Sequence, residues 1–261
     1  MLFINVENIS GLDIREIDDF QKLVNEFNAH SYKNGQKQKY YEGKISLNSV
    51  NLGLALPDGL KGLEIGCAWG AKTVDVLAAR SMFDGFVGAS GMEVAELDQI
   101  AIQNNLINEY AKACRDELKL GCTFVTLSAD PNIGVKIRFH SPMSAAALWD
   151  GEKGRIKCGL AIIDTVPTND PNINWTPSLI NYYTDTDIWV IRRTGEAWRA
   201  ERHPHKLGRP WMEALIWNST TDKPFGRSRI KEPIRRLIDG YVRTIANATI
   251  GLEFATSPQK Y

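Results

Sequence analysis

The spacing of apolar positions predicts helices in the first half of the chain. A first amphipathic helix is expected from the Asp13–Glu16 capping box to about His30. Residues 31–51 are polar and interrupted, which predicts a connector with a short helical piece. Two more helices are expected over 71–83 and 94–120, the second of them unusually long.

Beyond Gly121 the hydrophobic period changes from about 3.6 residues to about 2, which predicts β-strands. The expected strands are 122–128, 135–140, 155–164, 179–184, 188–193 and 197–201. Polar turns at 185–187 and 194–196 join the last three strands, which indicates an antiparallel meander.

A last helix is expected from Ile234 to about Glu253, so helices, then a sheet, then a helix predict an α+β fold rather than alternating α/β. Its apolar stripe consists of Ile234, Leu237, Ile238, Tyr241, Ile245 and Thr249. Six cations lead into this helix and along it: Arg227, Arg229, Lys231, Arg235, Arg236 and Arg243. Phosphate contacts need only positioned cations, so the helix is a candidate surface for a polyanion. On the pattern alone, a solvated face or salt bridges to a neighbouring subunit is the favoured alternative.

The charge of the chain is unevenly distributed although its net charge is zero. Residues 192–243 contain 13 Lys and Arg against 6 Asp and Glu, whereas residues 1–191 contain 17 against 24. The net charge therefore indicates no nucleic-acid partner, but the uneven distribution of charge along the chain is compatible with such a partner.

The composition is that of an ordinary globular protein: 261 residues, 43% of them hydrophobic and 24% charged. This excludes disordered and collagen-like chains and miniproteins that depend on disulfides. Residues 1–10 do not resemble a signal peptide, and no stretch approaches about 18 consecutive apolar residues, so no membrane partner is expected. The cysteines lack C-x-x-C spacing and are expected to be reduced and mostly buried: Cys67, Cys114, Cys122 and Cys158.

A glycine-rich string, Leu63–Gly70, is followed about twenty residues later by Glu93. This pattern is typical of nucleotide-binding and methyl-donor-binding loops, which makes an S-adenosylmethionine-dependent methyltransferase using Gly66 to Gly70 an alternative function. Only residues 63–65 precede Gly66 as a strand, too few for a central parallel strand. A structural turn is the favoured interpretation.

The remaining candidates for chemistry are weak. His203 and His205 flank Pro204 without an acidic or thiol partner nearby in sequence, so a surface loop is favoured over a metal site. Ser90 lacks the spacing of a nucleophile elbow, and the sequence contains no phosphate-binding loop of the Walker type. No catalytic, cofactor-binding or metal-binding residue is predicted, and the chain is not expected to be an enzyme.

Five strings distributed in order over most of the chain resemble the portal proteins of tailed bacteriophages and prophages, especially those of actinobacteria. They are CAWGAKTVDVLAAR at 67–80, FDGF at 83–86, HSPMSAAALWD at 140–150, PFGRSRI at 224–230 and EFATSPQKY at 253–261. The resemblance is more specific than any of the single motifs above because it involves several separated segments.

The resemblance implies a structural subunit of a ring, usually a dodecamer, through which double-stranded DNA enters and leaves the phage head. It implies as further partners the terminase, the scaffold or capsid, and the head-completion or tail proteins. The implied location is the portal vertex of the virion, and the bacterial host cytoplasm during assembly. The six cations of the last helix would then lie along the DNA channel.

The resemblance also implies a division of the chain. Residues 1–120 would form the helical part of the portal wing, 121–220 its antiparallel β part, and 221–261 the helix that enters the stem. Portals of this family are longer, so the chain is expected to represent an amino-terminal portion that ends before the clip and crown. A stand-alone DNA-binding module that uses the last helix is a further alternative.

Overall fold

The computed structural model describes residues 2, 4–46, 64–88, 94–132, 134–167, 175–195 and 197–256. The predicted α+β fold, with helices first, then an antiparallel meander, then a helix, is confirmed. The helices are α1 (Ile14–Glu42), α2 (Trp69–Ala78), α3 (Ala95–Gln103), α4 (Leu106–Leu120) and α5 (Glu232–Thr256). The strands are β1 (Ile9–Ser10), β2 (Lys44–Ser46), β3 (Glu64–Gly66), β4 (Cys122–Asp130), β5 (Gly134–His140), β6 (Ala145–Asp150), β7 (Arg155–Pro167), β8 (Trp175–Tyr183), β9 (Asp187–Thr194), β10 (Ala197–Pro204) and β11 (Met212–Ile216).

The strands form three sheets. The largest has the order β1-β10-β9-β8-β7-β6, in which β1 pairs parallel with β10 and all other neighbours are antiparallel. A second sheet has the order β11-β4-β5, and β2 pairs with β3 in a third. Strands β1, β2, β6 and β11 were not expected from the sequence.

The six-stranded sheet is covered on both faces. On one face, α1 buries Phe20, Leu23 and Phe27 against residues of the sheet such as Leu160 and Tyr182. On the other face, the sheet β11-β4-β5 contributes residues to a second core that also contains Ala161 and Tyr183. The first of these two cores is therefore shared by α1 of the predicted helical part and by strands of the predicted β part.

Helix α1 starts as predicted, because the side chain of Asp13 accepts a hydrogen bond from the Arg15 backbone N–H (3.1 Å). The prediction that it ends near His30 is wrong, since the helix continues to Glu42. Its later turns are held by polar contacts across the fold: Lys37 Nζ donates to the Leu120 carbonyl oxygen (2.9 Å). Sequence periodicity does not reveal such contacts.

The predicted helix over 94–120 is also wrong, because it is broken into α3 and α4 at Asn104 and Asn105. Asn105 has a φ of +51°, a conformation that asparagine tolerates better than most residues. Asn104 is buried, donates from Nδ2 to the Val135 carbonyl oxygen (2.8 Å) and accepts from the Ile137 N–H (2.9 Å). The break attaches the helix pair to β5.

Two further expectations concern membranes and thiols. In the part of the chain that the structure describes, no helix combines the length and the apolar character needed to cross a membrane. The four cysteines are free and buried, as predicted. Burial raises the pKa of Cys122 and of Cys158 to about 12, so both thiols are protonated at neutral pH.

A buried histidine ends β5 and faces β4. His140 Nε2 and Thr126 Oγ1 share a hydrogen bond of 2.8 Å. Burial, together with the charge of Arg138, lowers the pKa of His140 to about 4. The folded protein therefore resists protonation of this ring, whereas the unfolded chain takes up the proton near pH 6.5.

We predict that the free energy of unfolding is highest above about pH 6.5 and falls, by up to about 3 kcal/mol, as the pH is lowered to about 4. Urea unfolding between about pH 7 and pH 4 measures this change. His140→Gln should flatten the dependence, because the titrating ring is gone. The matched control, His203→Gln at an exposed position, should retain it. Equal slopes for wild type and His140→Gln would contradict the assignment.

Candidate nucleic-acid interface

The segment before α5 is fixed to the end of α4. Within the string 224–230, the Arg229 backbone N–H donates to the Leu118 carbonyl oxygen (2.8 Å). Gly226 has a φ of +71°, and a Cβ atom at this position would overlap the Trp217 carbonyl oxygen, so this position requires glycine. The start of α5 therefore has a defined place relative to the body of the protein.

The other residues of this string fill the core. The ring of Phe225 lies 5.7 Å from the rings of both Phe124 and Trp149. Ser228 is buried and donates to the Lys119 carbonyl oxygen, and Ile230 is buried in a cluster with α2 and α4. Packing of the core therefore accounts for Phe225, Ser228 and Ile230 of this string.

Helix α5 has one packed face. Ile238, Val242 and Ala246 are fully buried against β2, β3 and the end of α1. The Tyr40 hydroxyl donates to Asp239 Oδ1 (2.8 Å), and burial together with this hydrogen bond raises the pKa of Tyr40 to about 12. The packed row has a spacing of four residues.

The predicted apolar stripe of the helix is partly wrong. Leu237 is 60% exposed and Ile245 is 37% exposed. Val242 and Ala246, which the prediction omitted, are buried in their place. Packing against β2 and β3 determines which row of α5 is buried. The sequence shows only a wide apolar stripe, and such a stripe does not specify which of its residues face the core.

Two of the six candidate cations are engaged by contacts within the protein, and a third is half-buried. Arg229 Nε donates to the Thr73 carbonyl oxygen (2.9 Å), and its guanidinium lies 5.5 Å from the centre of the Trp217 ring. Arg227 forms an exposed ion pair with Asp222 (3.3 Å). Arg235 is half-buried, and among the described residues its Nε has no hydrogen-bond partner.

The other three cations are exposed. Arg236 pairs with Glu232 one turn away, an exposed contact of small energetic value. Lys231 and Arg243 have no ion-pair partner among the described residues. Arg236 and Arg243 are seven residues apart, so they share the solvent side of α5, about 10 Å apart along its axis. The structure places these two together on an exposed face at the side of the packed row, about 110° around the helix from it.

Two exposed cations that were not among the six candidates lie on the six-stranded sheet. Arg192 on β9 and Arg199 on β10 are directly opposite each other in the sheet, and both are exposed. Neither has an ion-pair partner among the described residues, and like charges in this arrangement are unfavourable. The turn predicted at 194–196 implies that these two residues pair across the hairpin. Their solvent exposure could be determined only from the folded structure.

The glycine-rich string forms no parallel strand in the described residues. Strand β3 has three residues and pairs antiparallel with β2, and α2 follows it. A Cβ atom at Gly70 would overlap the Tyr40 carbonyl oxygen, whereas Gly66 has open space around it. Gly70 therefore permits the close approach of α2 to α1. Leu63 and Glu93 lie outside the described residues.

The two histidines do not assemble a metal site in the described parts of the chain. His203 lies on β10 and not in a loop, which corrects the sequence interpretation. His205 Nε2 lies 3.2 Å from the Thr184 carbonyl oxygen, and its ring lies 5.5 Å from that of Trp211. Among the described residues no three potential ligands of the His, Cys, Asp or Glu types are grouped for a metal ion.

No protein-family model matches the chain, and a search of curated proteins also found no match.

We predict that the candidate cations differ in their effect on stability. Arg229→Ala removes a charged hydrogen bond and a cation–π contact and should lower the free energy of unfolding by about 1–3 kcal/mol. Arg243→Ala is the matched control and should change it by less than about 0.5 kcal/mol. Chemical denaturation compares them, and equal effects would contradict the structural role of Arg229.

We also predict opposite outcomes for the two glycines of the 66–70 string. Gly70→Ala should lower the free energy of unfolding by about 1–3 kcal/mol, because its methyl group meets backbone atoms of α1 that cannot move aside. Gly66→Ala should leave it within about 0.5 kcal/mol of wild type, because its surroundings are open. Thermal and urea unfolding give both values. A greater loss for Gly66→Ala would contradict the packing role of Gly70.

Proposed function

We propose that the chain is a portal subunit of a tailed bacteriophage or prophage, comprising the wing and the helix that enters the stem. In this role it builds the wall of a ring through which double-stranded DNA passes, and it makes and breaks no covalent bonds. The observation that carries the proposal is the two-sided α5. One face is anchored in the core through Ile238 and Val242, and an exposed face at the side of this packed row presents Arg236 and Arg243.

The order of the portal-like strings supports this proposal. The string at 224–230 forms the rigid joint between α4 and α5, and the string at 67–80 contains α2, on which α5 packs. A helix fixed in this way can keep a cationic face in one orientation. A wall element beside a moving polyanion requires that property, because a freely rotating helix would present its buried face as often as its charged one.

The small number of exposed cations fits passage of DNA better than retention. Each neutralised phosphate contributes about 0.9 to the slope of log affinity against log salt, so Lys231, Arg236 and Arg243 together give a shallow dependence. A channel that bound DNA tightly at every subunit would stop its movement. Cations that screen passing phosphates lower the electrostatic barrier without holding the duplex.

Ring assembly requires two different complementary faces on each subunit. The excess of acidic residues over 1–191 and of basic residues over 192–243 supplies opposite charges for such faces. Sedimentation and native mass measurements over a range of protein and salt concentrations test this assembly, and electron micrographs show whether the oligomers are rings. A strictly monomeric chain at high protein concentration would contradict the proposal.

We predict weak, salt-sensitive binding to duplex DNA, no tighter than the roughly 10⁻⁴–10⁻⁶ M of non-specific complexes at physiological salt. Replacing Lys231, Arg236 and Arg243 together by Gln should weaken it and flatten the salt slope by about 2–3. Fluorescence anisotropy with a labelled duplex at low salt gives both quantities.

The matched control replaces three exposed lysines elsewhere by Gln: Lys22, Lys112 and Lys153. Its net charge equals that of the first triple variant. This control should bind DNA nearly as wild type does. Equal losses in the two triple variants would contradict a role for the α5 face. Tight binding by the isolated monomer would instead favour a stand-alone DNA-binding module.

A further inference from the structure

A polar pocket lies along β5, the edge strand of the three-stranded sheet, beside the break between α3 and α4. Its volume is about 330 Å³, and it extends to Ile162 and Ile163 on β7. The buried Asn104 belongs to its wall, and the side chain of this residue bonds the backbone of β5 at Val135 and Ile137. This part of the wall is therefore fixed in place. We call this recess the β5 pocket.

Alternate residues of β5 line the pocket with nitrogen-bearing side chains. Lys136, Arg138 and His140 are two positions apart, so their side chains share one face of the strand. Arg138 is exposed, Lys136 is half-buried and His140 is buried. The two cations therefore lie nearer to solvent than the imidazole ring does.

The two cations have no partner in the described parts of the protein. The side chains of Lys136 and Arg138 form no ion pair and no hydrogen bond there. The one carboxylate among the described lining residues is Glu109, which is paired with Lys112 (2.7 Å). Asn105, the residue before α4, also lines the pocket, so the positive end of the α4 dipole lies beside it. The pocket therefore carries an excess of positive charge.

His140 has one ring nitrogen available. Its Nε2 shares a hydrogen bond with Thr126 Oγ1, and its Nδ1 has no hydrogen-bond partner among the described residues. Burial, and after it the charge of Arg138, lowers the pKa of His140. The ring is therefore neutral at neutral pH, and its Nδ1 can donate or accept a hydrogen bond.

We propose that the β5 pocket binds a small phosphate monoester. Lys136 and Arg138 bind the phosphate group through charged hydrogen bonds, and His140 adds a neutral polar contact. A phosphate group has three acceptor oxygens and up to two negative charges, so it matches two cations better than a carboxylate does.

The size of the pocket favours a free small molecule over the backbone of a duplex. A volume of about 330 Å³ is that of a small-molecule site. The inference goes beyond the proposed function and does not depend on it, because none of the candidate DNA-channel cations is among the described lining residues of this pocket.

The test uses glycerol 3-phosphate as the probe and glycerol as its uncharged control. Isothermal titration calorimetry of the full chain, at constant ionic strength set with sodium chloride, should show saturable binding of glycerol 3-phosphate and none of glycerol. Replacing Lys136 and Arg138 together by Gln should weaken this binding at least about tenfold, because charged hydrogen bonds are lost. The matched control replaces Arg192 and Lys206 by Gln, two exposed cations outside the pocket, and should bind as wild type does.

A second measurement locates the ligand within the chain. The protein has four histidines, so NMR can follow each ring separately. Bound phosphate adds negative charge near His140 and favours the protonated ring, so the pKa of His140 should rise when glycerol 3-phosphate is added. The exposed His203, outside the pocket, should keep its pKa. Circular dichroism and thermal unfolding confirm that both double variants are folded.

Four outcomes would overturn the inference. Absence of saturable binding, or equal binding of glycerol, would show that the pocket does not recognise phosphate. Equal weakening in the two double variants, or an unchanged pKa of His140, would place the ligand elsewhere. A duplex oligonucleotide that raises the pKa of His140 when glycerol 3-phosphate does not would assign the pocket to a nucleic-acid backbone. Ring assembly is tested separately by sedimentation, so none of these results decides it.

Discussion

The packing of α1 at both of its ends is the constraint on which the rest of the structure depends. Its first turns bury Phe20, Leu23 and Phe27 against the six-stranded sheet. Its last turns carry Tyr40 and Tyr41, whose hydroxyls donate to Asp239 on α5 and Asp75 on α2. A helix of 29 residues is about 44 Å long, so one rigid, hydrogen-bonded element connects the sheet to the helical region. The position of α5 relative to the sheet follows from this connection and from the joint at 224–230.

This arrangement leaves α5 with two faces of different character. The packed face is apolar and excludes water, which fixes the rotation of the helix about its axis. The solvent face then has no packing role, and its arginines, of which Arg236 is paired with Glu232 on the same helix, are exposed to charges outside the molecule. The proposed portal function needs this combination, because a wall element must hold its shape while a charged polymer moves past it.

A net charge of zero conceals the local groupings of charge that the fold creates. Charges act over about one Debye length, roughly 8–10 Å at physiological salt, so local groupings matter more than the total. The fold places Lys72 and Arg80 beside one apolar surface and Asp84 and Asp98 beside another. Arg229 illustrates the reverse case, since its charge is directed inward to the Thr73 carbonyl oxygen and Trp217. A list of cations from the sequence does not separate these roles.

The sequence by itself determined the class of the fold, the meander and the presence of a last helix, because alternating and helical periods are local properties. It also determined that the cysteines are free and buried. It did not predict β6, whose alanine-rich stretch has little intrinsic strand preference. Tertiary structure decided the length of α1, the break at Asn104, the buried row of α5 and the solvent exposure of Arg236 and Arg243. Each of these depends on contacts between residues far apart in the chain, such as Lys37 with Leu120 and Asn104 with Val135, and no local pattern encodes them.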